Sequence, residues 1–367
     1  MGTINKTFKI AVIGGGNIGT QFACMCAAKG YEVNVYSSKP NQFNNKLEII
    51  NEFDEVTYGT VNLVTDDLKE AISGCRIVLV TYPAFMLAEL ADKILPLIEK
   101  DMCICVIPGT GGAEFAFRKC LEAGAILIGL QRVPSVARLE QYGRRVRCEG
   151  LRKELFLASI PDVFAEKWCS FFENIWNIPC KPLPNYLNVT LIPSNPILHT
   201  TRLKTLFNDY KDGVFYEYNP LFYGDWNDKS SELLLSCDDE LQKICKTLDK
   251  LNLTYVRSLK IHYESDTVRA MTEKISTIKS LHDLSSPMIK SENGWIPDFK
   301  SRYFTADFPF GLAIIEEFAN IVSVDVPNIH ETMEWYKRVS GNKHYFKLSE
   351  FGLNTVNDIY SFYKKRM

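Results

Sequence analysis

Phe8-Lys9-Ile10-Ala11-Val12-Ile13-Gly14-Gly15-Gly16-Asn17-Ile18-Gly19 sets an apolar, β-branched run directly before a cluster of glycines. The run reads as a buried strand, and Asn17 to Lys29 continues with helical period. Gly14, Gly16 and Gly19 form G-x-G-x-x-G at the turn between them. Each glycine has a distinct use there: Gly14 permits the tight turn, Gly16 lets a pyrophosphate approach the backbone, and Gly19 brings helix against strand. The first helical N–H groups, at Asn17 and Ile18, lack partners within the helix and suit an anion. The stretch predicts a dinucleotide-binding site. A purely structural glycine turn is the alternative, disfavoured by the strand before it and the helix after it.

The same pattern of strand, turn and helix repeats through the first 130 residues. Further strands are expected at Tyr31–Tyr36, Val61–Val64, Arg76–Thr81, Cys103–Ile107 and Ala125–Leu130, with helices at Ala84–Lys100 and Ala113–Leu121. Right-handed crossovers turn such a series into a doubly wound sheet with its ligand beyond the carboxyl ends of the strands. Residues 144–158 read as two antiparallel strands around Glu149-Gly150, and Asp162–Trp176 as a helix. A proline cluster at Pro179, Pro182 and Pro184 marks the expected boundary. Beyond it helical patterns dominate, at Pro196–Tyr210, Asp238–Leu251, Asp266–Leu281, Pro309–Ile321 and Ile329–Val339. The fold class expected is α/β: a Rossmann dinucleotide-binding domain over residues 1–184 and a mostly α-helical domain over 185–367.

Composition narrows the function classes. The 367 residues suffice for about two domains, and 46% apolar with 23% charged residues is ordinary for a globular chain. Forty-two basic against 44 acidic side chains give a net charge of -2, which offers no field to gather nucleic acid or a membrane surface. Pro182–Thr201, the longest stretch without charge, holds four prolines and cannot cross lipid as an unbroken helix. No secretory leader is evident, so the eleven cysteines read as cytoplasmic thiols. Cys24/Cys26 and Cys103/Cys105 are spaced too closely for the usual zinc pattern, and no metal is expected.

Cofactor choice is read at the end of the second strand, where a carboxylate would hold the ribose 2′-hydroxyl of NAD. Here the chain has Tyr36-Ser37-Ser38-Lys39. Two hydroxyls and an ammonium suit a 2′-phosphate, so NADP(H) is favoured over NAD(H), with Lys39 as a plain solvated loop residue the alternative.

Two segments of the second half carry reactive side chains. Ile192-Pro193-Ser194-Asn195-Pro196-Ile197-Leu198-His199 sets His199 in the first or second turn of a helix, with Ser194 or Asn195 as N-cap and Pro196 at N1. A helix N-terminus disfavours imidazolium, so a proton-delivering histidine there needs a carboxylate nearby. Ser301-Arg302-Tyr303-Phe304-Thr305-Ala306-Asp307-Phe308-Pro309-Phe310-Gly311 supplies one, amid aromatics that exclude water. A guanidinium such as Arg302 can grip a carboxylate in two places. Taken singly, His199 reads first as a half-buried histidine satisfied by backbone; Asp307 reads also as a helix cap and Arg302 as a surface charge.

Together the glycine loop, Val133-Pro134-Ser135-Val136-Ala137-Arg138-Leu139-Glu140-Gln141-Tyr142-Gly143, Asn195-Pro196-Ile197-Leu198-His199, Asp239-Glu240 opening a helix, and Arg302 to Gly311 resemble the opine dehydrogenase family, which includes octopine and nopaline dehydrogenases. The resemblance spans most of the chain. It implies NAD(P)H-dependent reductive condensation of an amino acid with a 2-oxo acid, with His199 and Asp307 as the catalytic pair and Arg302 holding the oxo acid. Thr200 and Ala306 depart from the proline and glutamate common in the family.

Two rival readings stay open. One is a reductase of a single 2-oxo or 3-hydroxy acid, working through Lys204 with Asn208; the other is an NADP(H)-sensing regulator without turnover. Tyr216, Tyr218, Tyr223 and Trp226 crowd one segment and offer the lining of an amino-acid pocket, with plain core or surface the alternative; Trp226 is taken as a substrate-binding residue. The partners expected are small molecules, an amino acid and an oxo acid. Nothing in the sequence decides between a monomer and a homodimer.

Overall fold

Ile10 to Ile13 are wholly shielded from solvent, as a strand covered on both faces must be. They belong to β1 (Lys9–Ile13) of a computed structural model that describes residues 8–364. The chain forms two units, divided between Thr190 and Leu191.

In the first unit α1 (Asn17–Ala28) links β1 to β2 (Glu32–Tyr36), and β3 (Lys46–Ile50), β4 (Val56–Thr60) and β5 (Leu63–Thr65) follow. Then come α2 (Leu68–Ile72), β6 (Cys75–Val80), α3 (Leu87–Ile94), β7 (Cys103–Val106), α4 (Ala113–Ala116), α5 (Arg118–Glu122) and β8 (Ile126–Leu130). The unit continues with β9 (Val136–Gln141), β10 (Arg145–Glu149), β11 (Leu155–Ile160), α6 (Ala165–Trp176), β12 (Cys180–Pro182) and α7 (Leu187–Thr190). An eight-stranded sheet runs β12-β11-β8-β7-β6-β1-β2-β5. Its pairs are parallel except β8 with β11. Chain order reverses between β1 and β6, so a crevice for a ligand opens beyond their carboxyl ends.

The sequence reading missed a second sheet in this unit, of order β4-β3-β10-β9. The segment 144–158 is not a hairpin: β10 pairs with β9 and β3, whereas β11 joins the large sheet. Gly150, at φ +63°, redirects the chain between the two sheets instead of folding it back on itself. The second sheet covers the far side of α1, which explains why Phe22, Ala23, Cys24 and Cys26 are all buried. The expected helix Ala84–Lys100 is α3 flanked by single 3₁₀ turns, the second carrying Pro96, whose missing N–H ends the α-helix.

The expected boundary at Pro184 lies six residues early. The hydroxyl of Tyr186 donates to Gly109 O at 3.1 Å, Gln131 Nε2 donates to Asn188 O at 2.8 Å, and Thr190 donates to Glu114. Those bonds keep 185–190 on the first unit.

The second unit is helical: α8 (Ser194–Phe207), α9 (Asp228–Thr247), α10 (Leu259–Tyr263), α11 (Val268–Ser276), α12 (Arg302–Thr305), α13 (Ala313–Ile321), α14 (Pro327–Ser340) and α15 (Val356–Lys364). One hairpin, β13 (Met288–Ser291) with β14 (Gly294–Pro297), interrupts it. Asp239-Glu240 does not open a helix; α9 starts at Asp228, capped by the Asn227 side chain on Ser230 N. Glu240 instead caps α14 from outside, accepting from Asn328 N at 2.9 Å and Ile329 N at 3.0 Å. The carboxylate does for α14 what its own N-cap, Val326, cannot. Among the described residues no helix is long and apolar enough to cross a membrane.

Candidate active site

The glycine loop is shaped for an anion. Gly14 sits at φ +115°, and a Cβ there would lie 2.6 Å from Thr81 Oγ1. A Cβ on Gly19 would lie 1.7 Å from Gly14 O, so only hydrogen lets α1 rest on the loop. Around Gly16, by contrast, a Cβ would meet nothing within 4 Å. Gly16 is the N-cap of α1; no side chain caps the helix and its first turn holds no acid. These features fit a dinucleotide pyrophosphate: open space, first-turn N–H groups at Asn17 and Ile18 that have no partner within the helix, and the positive end of a helix dipole. The side chain of Asn17 is spent elsewhere, accepting from Leu139 N at 2.9 Å.

Ser37, Ser38 and Lys39 divide into two kinds. Ser37 is buried, its hydroxyl 2.8 Å from Tyr142 Oη and accepting from Lys39 N at 3.1 Å. Ser38 and Lys39 are exposed. The motif running from Val133 to Gly143 therefore buttresses the cofactor loop twice, at Asn17 and at Ser37.

In the second unit His199 lies in the second turn of α8, which begins at Ser194 with Pro193 as N-cap. Its Nδ1 is 2.8 Å from Asp307 Oδ2, and its Nε2 is 3.0 Å from Tyr223 Oη. The imidazole is 7% exposed, in a T-shaped contact with Tyr303 at 4.7 Å between centroids and another with Phe222 at 5.6 Å. In so dry a setting a charge on either partner would be screened little by solvent.

Asp307 reaches the imidazole because the chain around it is anchored on both sides. Phe304, Phe308 and Tyr336 form a stack, Phe308 lying 4.2 Å from Tyr336. Leu312 N donates back to Asp307 O at 2.8 Å, closing a π-turn over Phe308–Leu312. A Cβ on Gly311 would press on the Pro196 ring at 3.1 Å, so glycine there lets the π-turn lie on the first turn of α8. Asp307 occupies the cap position of that turn, yet no side-chain capping bond forms; the carboxylate is given to His199. Arg302, at the start of α12, is exposed, 5.8 Å from the Tyr303 ring centroid, and pairs with no acidic side chain among the described residues.

Tyr223 is offered by the sequence only as one of four aromatics for an amino-acid pocket, and Arg202 is given no role there. Burial pushes the Tyr223 hydroxyl well above the usual tyrosine pKa, so it stays protonated. Arg202, fully buried one turn beyond His199, donates to Phe222 O at 2.9 Å, Leu221 O at 3.2 Å, Asp225 O at 2.7 Å and Ser230 Oγ at 3.1 Å. Trp226 is core: it is 5% exposed, donates to Ser231 Oγ at 2.9 Å and lies 5.4 Å from the Arg202 guanidinium. Lys204, the alternative catalytic lysine, is already paired with Glu331 at 2.6 Å. The Thr200 hydroxyl bonds back to Pro196 O, within its own helix. Among the described residues, no group of three or more His, Cys, Asp or Glu is placed to hold a metal ion.

Comparison with known proteins adds to this geometry. Residues 182–340 match the family model described as NAD/NADP octopine/nopaline dehydrogenase, alpha-helical domain. Residues 9–114 match the N-terminus of NAD-dependent glycerol-3-phosphate dehydrogenase. Tauropine dehydrogenase of Arabella iricolor is 24% identical, over 91% of this chain and 92% of its own. Octopine dehydrogenase of Mizuhopecten yessoensis is 25% identical, over 91% and 90%. A solved octopine dehydrogenase with NADH and pyruvate superposes with a TM-score of 0.81 at 22% identity, covering 98% of this chain and 99% of that one. The helical unit thus carries an octopine/nopaline dehydrogenase-type domain, and the chain is similar to opine dehydrogenases over about nine-tenths of its length.

Proposed function

We propose that this enzyme condenses the amine of an amino acid with a 2-oxo acid of the pyruvate type and reduces the resulting imine to a secondary amine. It is an NAD(P)-dependent oxidoreductase acting on CH–NH bonds. The observation that carries the reading is the contact of His199 Nδ1 with Asp307 Oδ2 at 2.8 Å, in an aromatic setting, on a family fold whose glycine loop fits a dinucleotide.

Reduced nicotinamide, held through Gly14, Gly16, Asn17, Ile18 and Gly19, supplies the hydride. The protein supplies the rest. Asp307 fixes the tautomer of His199 and stabilises its charged form, as a buried carboxylate does for a general acid. That pair furnishes the proton with which the oxo oxygen leaves as water. Arg302, an exposed guanidinium with no acidic partner among the described residues, grips the carboxylate of the oxo acid and turns an encounter into a fixed geometry. Trp226 we leave in the core.

For the cofactor, exposed Ser38 and Lys39 at the end of β2, with no carboxylate among Tyr36 to Lys39, support a preference for NADP(H). NADPH should bind more tightly than NADH, and Lys39→Ala should erode the difference; equal affinities in the parent would refute it. All eleven cysteines are free thiols, which suits a reducing compartment such as the cytoplasm.

The test is to follow NADPH loss with pyruvate while each amino acid is offered in turn. Oxidation that depends on one class of amino acid supports the proposal. Equal oxidation with pyruvate alone would make the enzyme a reductase of the single oxo acid, although the engagement of Lys204 with Glu331 speaks against that route.

A further inference from the structure

Both ring nitrogens of His199 are engaged within the protein. Nδ1 faces Asp307 and Nε2 faces the Tyr223 hydroxyl at 3.0 Å. A general acid must present its proton at the oxygen that departs. The group that retains an open valence is the hydroxyl, because a phenol can accept one hydrogen bond and donate another.

The segment carrying that hydroxyl is held with unusual thoroughness. Arg202 binds the carbonyls of Leu221, Phe222 and Asp225. Phe222 N donates to Leu284 O at 2.6 Å, Leu221 N to the Asp225 carboxylate at 2.7 Å, and Gly224 N to His282 O at 3.2 Å. Arg202 is a costly anchor, since a fully buried guanidinium has lost its hydration, and burial drags its pKa down to about 10. Core packing alone does not call for a buried cation here; fixing Tyr223 against the ring three residues earlier on α8 does.

We propose that Tyr223 is the residue that hands the proton to the departing oxygen, with His199 replenishing it and Arg202 acting as the positioning residue. The proposal rests on the condensation reading given above. In the carbinolamine formed from amine and oxo acid, the C–O bond breaks with its electron pair going to oxygen, and the nitrogen lone pair forms C=N. The O–H bond of Tyr223 breaks and its proton completes the water. The Nε2–H bond of His199 breaks in the same event, and that proton restores the phenol. His199 ends neutral, its Nδ1–H still donating to Asp307. Replenishment is required because burial holds the phenol well above its ordinary pKa, so a free tyrosinate would not form at the rate of turnover.

Tyr223→Phe removes one oxygen and keeps the ring that packs 5.0 Å from Phe222. Wild type and variant are compared on the full condensation and on reduction of a preformed cyclic imino acid, which needs no dehydration. The relay predicts a loss of about 100-fold or more in kcat for condensation, with imine reduction within about threefold of wild type. Equal losses in both reactions, or condensation at the wild-type rate, would overturn it. Wild type that reduces the imine without condensing, or does neither, would instead overturn the underlying function. Independently of turnover, the Nε2 nitrogen resonance of His199 should shift in Tyr223→Phe; an unmoved resonance would also overturn the relay.

Discussion

His199 Nδ1 and Asp307 Oδ2 are 2.8 Å apart although 108 positions separate them in the chain. The contact is made inside the helical unit, between the second turn of α8 and the residue before the π-turn. Removing the charge while keeping the shape tests it. Asp307→Asn should lower turnover by more than tenfold and leave dinucleotide affinity nearly unchanged, since an amide no longer enforces the tautomer or stabilises the cation. His199→Ala should do the same. Steady-state kinetics with a fluorescence titration of NADPH would check both, and near-normal turnover in either variant would remove the assignment.

The glycine loop separates two effects that sequence motifs usually merge. A Cβ on Gly16 projects into open space, so Gly16→Ala should fold normally while weakening dinucleotide binding about tenfold or more, by filling the place of the pyrophosphate. A Cβ on Gly19 would sit 1.7 Å from Gly14 O, so Gly19→Ala should cost about 2 kcal/mol or more of stability. Thermal unfolding without ligand, beside a binding isotherm, distinguishes the two.

Arg302 has a narrower signature. Arg302→Leu should raise KM for the oxo acid by about tenfold or more, the value of a lost charge-assisted pair, with KM for the dinucleotide unmoved. A fall in kcat with unchanged KM would place the guanidinium elsewhere in the reaction.

Asp238 sets a pH dependence of stability. It is fully buried on α9, accepts from Leu259 N at 2.7 Å, and burial raises its pKa to about 6. The folded state thus binds the proton more tightly than the unfolded state, and this group's contribution is lost as pH rises from about 4 to 6. Asp238→Asn should therefore be more stable than the parent at pH 7.5, by on the order of 2 kcal/mol, and no more stable near pH 4. Denaturant melts at the two pH values would show it.

Much of this was legible from residues alone, for physical reasons that also explain the gaps. The glycine loop announces itself because strand period, glycine spacing and helix period coincide within twenty residues. His199 and Asp307 stand out as rare reactive types beside proline and aromatic signals. β3, β4 and β9 do not, because short strands such as Val56-Thr57-Tyr58-Gly59-Thr60, mostly exposed, lack a clean apolar alternation. Tyr223 lies in a loop, where periodicity carries no information. Arg202 reads as a surface charge until the structure shows it enclosed by the carbonyls of a segment some twenty residues away. Lys204 misleads in the same way, as a lysine whose carboxylate partner on α14 is 127 positions distant. Long-range partners of polar side chains are the part that spacing cannot supply.

The most direct measurement is the fate of the hydride. With NADPH carrying deuterium at the transferred position, pyruvate and a productive amino acid, the account predicts one deuterium on the former oxo carbon of a product in which that carbon is bonded to the amino acid nitrogen. Mass spectrometry showing the label in a 2-hydroxy acid, with the amino acid unaltered, would contradict it.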